Sequence, residues 1–119
     1  MNNKEFSKNL EKRTRSFAFR ILKLSAKLPF SPEGKTIRYQ LSKSGTSVGA
    51  NYREANRARS KAEFTSRIGI CESESSETAY WLEVIIDQGW LESVIIDPEL
   101  KEANELLALF SSIGASSKN

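Results

Sequence analysis

Leu10, Thr14, Phe17, Ile21, Leu24 and Leu28 follow one another at spacings of four and three residues. A strand cannot hold such a row on one face, because its side chains alternate with a period of two. A helix of 3.6 residues per turn can. The row predicts a helix over about 5–28 with an apolar stripe of bundle type. The rest of the chain repeats the pattern between clear start and stop signals. Ser31-Pro32-Glu33 places a capping hydroxyl, a proline and an acid in the order of a helix N-terminus. The second helix therefore spans about 32–58, with Ile37, Leu41, Ser44, Val48, Asn51 and Ala55 inward. Ser60-Lys61-Ala62-Glu63 is a capping box and opens a third helix over 60–88. Its seam is Phe64, Ile68, Cys71, Ser75, Thr78, Leu82 and Ile85, and Gly89 is its stop. Gly89 to Ile96 reads as a loop anchored by Trp90, Leu91, Ile95 and Ile96. Asp97-Pro98-Glu99 then repeats the cap-proline-acid start. The fourth helix covers about 98–113, with Leu100, Ala103, Leu107 and Phe110 in line, Gly114 as its stop, and Ala115 to Asn119 frayed. Short connections make neighbours antiparallel. The fold class is all-α, and residues 1–119 form a single up-down-up-down antiparallel four-helix bundle.

Two features of the helices go beyond a plain bundle. The second helix carries Ser44, Gly45, Thr46, Ser47, Gly49 and Ala50 in its middle. A glycine inside a helix costs roughly 1 kcal/mol relative to alanine, so close approach of a neighbouring helix is the offset expected here. The first and third helices also have apolar residues off their seams. Phe19 and Leu22 lie on one, and Tyr80, Trp81 and Val84 on the other. A helix that is apolar on two sides is contacted on two sides, so these five residues are the expected interface of a homo-oligomer.

Charge is divided along the chain. Residues 1–34 hold eight Lys/Arg against three acids, residues 35–67 eight against two, and residues 68–119 two against ten. Such asymmetry points to nucleic acid, or to a basic face of one subunit meeting an acidic face of the next. The basic set on the second helix and the turn after it is Arg38, Lys43, Arg53, Arg57, Arg59, Lys61 and Arg67. These are the candidate nucleic-acid-binding residues. Arg53 and Arg57, four apart, share a helix face.

Catalytic chemistry finds little footing. The chain has no histidine, which removes the commonest general base near neutral pH and the commonest metal ligand. Glu72, Glu74 and Glu77 lack the Glu-x-x-His partners of a bundle di-metal site, so they read as a solvated acidic face. No metal or cofactor is expected. Cys71 is the single cysteine and falls on a seam, as a buried thiol does. Gly45-x-x-x-Gly49 has neither the strand nor the lysine of a phosphate-binding loop. The polar N-terminus, the lack of any apolar run near the ~20 residues of a membrane span and the lone cysteine point to a cytoplasmic protein with no membrane partner.

Over Ser47, Asn51, Glu54, Arg59-Ser60-Lys61 and Glu63-Phe64, followed by a Glu-rich helix and Gly89-Trp90-Leu91, the chain resembles the 23S ribosomal RNA intervening-sequence protein family. The likeness extends over about 10–113 and departs from the family pattern at Gly49, Arg53 and Ala55. It implies a four-helix bundle that assembles as a homopentamer and has no established catalytic residues. Some members are encoded within intervening sequences of ribosomal RNA genes. A related group, the accessory proteins of diversity-generating retroelements, forms basic pentameric barrels that bind nucleic acid and a reverse transcriptase. The expectation is thus a non-enzymatic, ring-shaped homo-oligomer that binds RNA or DNA nonspecifically. The alternative is a protein-interaction scaffold, its charges spent on subunit assembly or a protein partner.

Overall fold

The computed structural model describes residues 3–118, which fold into four helices: α1 (Asn3–Ser25), α2 (Pro32–Ala55), α3 (Lys61–Gln88) and α4 (Ser93–Ser117). Each helix packs on the next, and a thinner α1–α4 contact closes the bundle. The residue pairs fix the directions. Thr14, Ile21 and Ser25 of α1 meet Gly49, Gly45 and Ser42 of α2. Ser44, Val48 and Asn51 of α2 meet Thr78, Cys71 and Arg67 of α3. Thr65 and Ile68 of α3 meet Ser117 and Gly114 of α4, and Arg13 and Arg20 of α1 meet Glu102 and Glu99 of α4. Numbers fall on one helix as they rise on its neighbour, so all four adjacent pairs are antiparallel. The core runs the length of a 44 × 25 × 19 Å rod, from Leu10, Phe17 and Ile21 through Leu41, Val48 and Tyr52 to Ile68, Leu82, Ile85, Leu106 and Phe110.

The small residues of α2 are a packing seam. A Cβ on Gly45 would lie 2.5 Å from Ile21 Cγ2, and one on Gly49 3.0 Å from Thr14 Oγ1. Thr14 keeps its hydroxyl occupied by donating to the Leu10 carbonyl at 2.9 Å, so α1 approaches α2 here without stranding a polar group.

The helix ends correct several sequence expectations. α1 stops at Ser25 rather than about residue 28. Lys27 N–H turns back to Leu24 and Leu28 N–H to Ser25, and Leu28 precedes Pro29, which disfavours helical backbone before it. Leu28 is still buried, but from the turn. α2 ends at Ala55 rather than 58, because Arg57 and Ala58 donate three residues back to Glu54 and Ala55. Ser60 is the cap of α3 and not its first residue: its Oγ accepts from Glu63 N–H, and Gly89 ends the helix at φ 68°.

α4 differs most. It begins at Ser93, so Val94 to Asp97 are helical and Pro98 lies inside. Proline there deletes the bond to the Val94 carbonyl, but Val94 is exposed and water can serve that oxygen, while Ile96 is fully buried and anchors the added turn. Gly114 is not a stop. It lies buried against Ile68, and the helix continues to Ser117, whose hydroxyl donates to the Gly114 carbonyl and pairs with Thr65. Ala115 to Ser117 are thus ordered helix, and Asn119 lies outside the described residues. Leu106, not Leu107, points into the core.

Candidate nucleic-acid interface

The turn from α2 to α3 covers residues 56–60 and is held by its own backbone. Asn56 N–H bonds back to Tyr52, and Glu63 accepts from Arg59 N–H through Oε2 at 3.2 Å. With the turn fixed, Arg57 and Arg59 on it and Lys61 at the start of α3 are exposed. Arg53, in the last turn of α2, is also exposed and lies 3.7 Å from Glu11.

Antiparallel packing brings the start of α1 to the same end. Asn56 Nδ2 donates to Glu11 Oε2 at 2.8 Å, which fixes the register. Lys4, Lys8, Lys12 and Arg15 on α1 are exposed. A cavity of about 220 Å³ lined by Lys8, Asn9, Glu11, Lys12, Arg15 and Arg53 joins the two helices. A larger one of about 400 Å³ continues from Glu11, Arg15 and Arg53 along the seam past Ala18, Thr46 and Ala50. The result is a groove with Lys8, Lys12 and Arg15 on one wall and Arg53 on the other, and with Glu11 and Glu54 also in its lining. Lys8, Lys12 and Arg15 were absent from the sequence-based set. Placing the first two helices antiparallel puts residues 8–15 beside 49–56, and that step finds them.

The remaining predicted cations lie elsewhere. Arg38 is 19 residues from Arg57 by number, roughly 28 Å along the axis at 1.5 Å per residue. Its guanidinium stacks over the Phe30 ring at 4.4 Å. Lys43 lies over Tyr39 at 5.9 Å. Arg67 is half-buried and donates to Asn51 Oδ1 at 3.0 Å, so it braces α3 against α2. The basic set is therefore divided: Arg53, Arg57, Arg59 and Lys61 share one end with the α1 lysines, and Arg38 and Lys43 sit toward the other.

Part of the basic–acidic division is answered inside the chain. Arg13 forks onto Glu102 at 2.6 and 2.8 Å and reaches Glu105 at 3.1 Å. Arg20 holds both Glu99 oxygens at 3.0 Å. The hydrogen bonds from Arg13 hold the Glu102 carboxyl below its ordinary value, against a smaller opposing effect of burial. Arg13 is raised in turn, first by the bond to Glu102. Arg13 and Arg20 thus spend their charge within the chain and not on a neighbouring subunit.

The expected interface residues divide by exposure. Phe19, Leu22 and Tyr80 are exposed, and Trp81 and Val84 are half-buried. Tyr80 packs edge-on to Trp81 with ring centres 4.9 Å apart. Ile21 meets Gly45 and Ser44 meets Thr78, so Phe19/Leu22 and Tyr80/Trp81 stand about one helical turn apart in height, on helices α1 and α3, which occupy opposite corners of the bundle. On the same helix, the Glu74 carboxyl is pushed up by burial and by Glu77, with Lys43 pulling it down. Cys71 is fully buried, its Sγ 3.5 Å from the Val48 carbonyl, and burial pushes its thiol up to about 12. Among the described residues no group of three or more Cys, Asp or Glu side chains is placed to hold a metal ion, and no helix is long and apolar enough to cross a membrane.

The sequence profile of the 23S rRNA-intervening sequence proteins fits residues 8–112. The chain belongs to that family. Its fold is also that of a solved relative, a protein of unknown function from the S23 ribosomal protein family of Bacteroides thetaiotaomicron. The two are 33% identical with a TM-score of 0.81, over 87% of this chain and 96% of that one. No curated protein sequence is significantly similar.

Proposed function

We propose that this family member is a non-enzymatic homo-oligomer that binds RNA or DNA through phosphate contacts at one end of the bundle. The observation that carries the reading is the gathering of Lys8, Lys12, Arg15, Arg53, Arg57, Arg59 and Lys61 at that end, all exposed or along one groove. Side chains on two helices and a turn give a cationic surface broad enough to follow a phosphate backbone, where each phosphate met releases counterions.

Assembly multiplies that surface. The Phe19/Leu22 and Tyr80/Trp81/Val84 patches differ, so pairing them is head-to-tail, and head-to-tail contacts close a ring or run on as a filament. We take the assembly to be a closed ring of five, as the family resemblance implies. In such a ring, every Arg57–Lys61 turn faces the same side.

The test is a salt titration of fluorescent duplex DNA and structured RNA against the protein, with sedimentation in the same buffers. Affinity should fall steeply as salt rises while the assembly persists. Arg57→Glu with Arg59→Glu should weaken binding by about tenfold or more at low salt, because two phosphate contacts become repulsions. An assembly that persists without binding either probe at low salt would instead favour a protein-interaction scaffold.

A further inference from the structure

The α1–α4 seam is closed at its middle by the Arg13 and Arg20 forks, and it opens toward the cationic end. There, Phe6 of α1, Phe64 of α3 and Leu109 and Ile113 of α4 wall a cleft of about 520 Å³, with Tyr52 at its floor and Ser112 and Ser116 among its polar groups. That volume is within the range of small-molecule sites, about 300–1,000 Å³. No charged side chain lines it. Phe6, two turns beyond Arg13, is exposed despite its size. Charge begins at the rim. Lys4 and Lys8 neighbour the α1 residues of the cleft, Lys61 lies one turn before Phe64 on α3, and Lys118 follows Ser117 at the end of α4, so that four cations stand against Glu5 and Glu63 beside the same lining residues.

We infer that this cleft holds an unpaired nucleobase, and that the cationic end binds single-stranded segments in preference to duplex. The inference rests on the phosphate-binding reading above and gives it a substrate class. Aromatic and branched aliphatic walls offer stacking faces, the hydroxyls of Ser112 and Ser116 can bond a base edge, and the lysines outside suit the phosphates on either side. Single strands are bound elsewhere by the same combination of apolar stacking surface and cationic track. A duplex keeps its bases stacked inside and cannot present one to a recess between helices, whereas a loop, bulge or end can.

The decisive probe is an abasic oligonucleotide, which keeps the phosphates and removes the bases. Fluorescence anisotropy would compare it with the intact single strand of equal length, in RNA and DNA forms. The intact strand should bind roughly tenfold more tightly, the effect of one lost base stack. Phe6→Ala, which removes a wall, and Ser116→Leu, which fills the cleft, should each abolish that difference while leaving abasic affinity unchanged. Thermal unfolding of both variants would verify that the fold is retained. Equal affinity for intact and abasic strands would overturn the cleft and leave the phosphate reading standing. No binding of either would overturn both. Altered sedimentation by Ser116→Leu with undiminished discrimination would assign the cleft to a neighbouring subunit and overturn the inference.

Discussion

Helix α1 is held on two sides by different means. Against α2 it meets small residues: Gly45 lies under Ile21, and Gly49 under Thr14. Against α4 it meets carboxylates, with Arg13 and Arg20 reaching across to Glu99, Glu102 and Glu105. The first seam is limited by shape and is dry at its inner side, where Gly45 and Ile21 are buried, with the groove confined to its outer side. The second is limited by charge and is partly wet, since the Arg13 and Arg20 side chains are each 39% exposed. Close packing resists added volume, while an exposed ion pair yields to acid and salt. A bundle with both seams has one helix pair that is hard to open and another that responds to solution conditions.

The sharpest way to break the contrast is to add volume to the dry seam. Gly45→Leu should destabilise by about 3 kcal/mol, the upper part of the usual range for overpacking. Ile21 is β-branched, fully buried and unable to swing aside. Urea unfolding of wild type and variant measures it. A loss below about 1 kcal/mol would mean that the helices separate freely, and the distinction between the seams would fail.

The wet seam should respond less, and with a pH dependence of its own. Arg13→Ala should cost about 1 kcal/mol near neutral pH, after discounting for the exposure of the guanidinium. The Glu102 carboxyl is depressed in the folded protein. Its contribution is therefore present above the ordinary glutamate value of about 4.3 and lost as pH falls through the lower folded value. Stability curves of wild type and Arg13→Ala should converge between neutrality and acid. The Gly45→Leu penalty should stay constant over that range. Parallel curves for all three proteins would remove the electrostatic reading of the α1–α4 seam.

The smallest effect sharpens the comparison by reversing its sign. Gly69 lies in the middle of α3, is exposed, and has nothing within 4 Å of where a Cβ would stand. Gly69→Ala should stabilise by about 1 kcal/mol through helix propensity alone. An increase in melting temperature beside the decrease for Gly45→Leu would separate a glycine that makes room from one that does not.

The parts legible in the sequence were those governed by local chemistry. Ser31 and Ser60 cap because a short hydroxyl before a helix satisfies its first N–H groups, and the four-three spacing from Leu10 to Leu24 needs no tertiary information. The start of α4 was obscured because Pro98 follows the rule for a helix start, while burial of Ile96, a tertiary effect, carries the helix five residues further back. Gly114 was misread for the same reason: a glycine at a packing contact and a glycine at a stop look alike in sequence. The cationic end was half legible. Arg53 to Lys61 form a visible run, but Lys8, Lys12 and Arg15 join it only through antiparallel packing. Pairing of Arg13 and Arg20 with α4 needs the α1–α4 register, which no local pattern supplies.

The lone thiol offers a use of its own. Cys71 is sealed between α2 and α3 and pushed far from its reactive form, so an alkylating reagent meets it only when those helices part. With no second sulfhydryl in the sequence to compete, the time course of labelling becomes a stopwatch for the breathing of this one helix pair, readable without any inserted reporter.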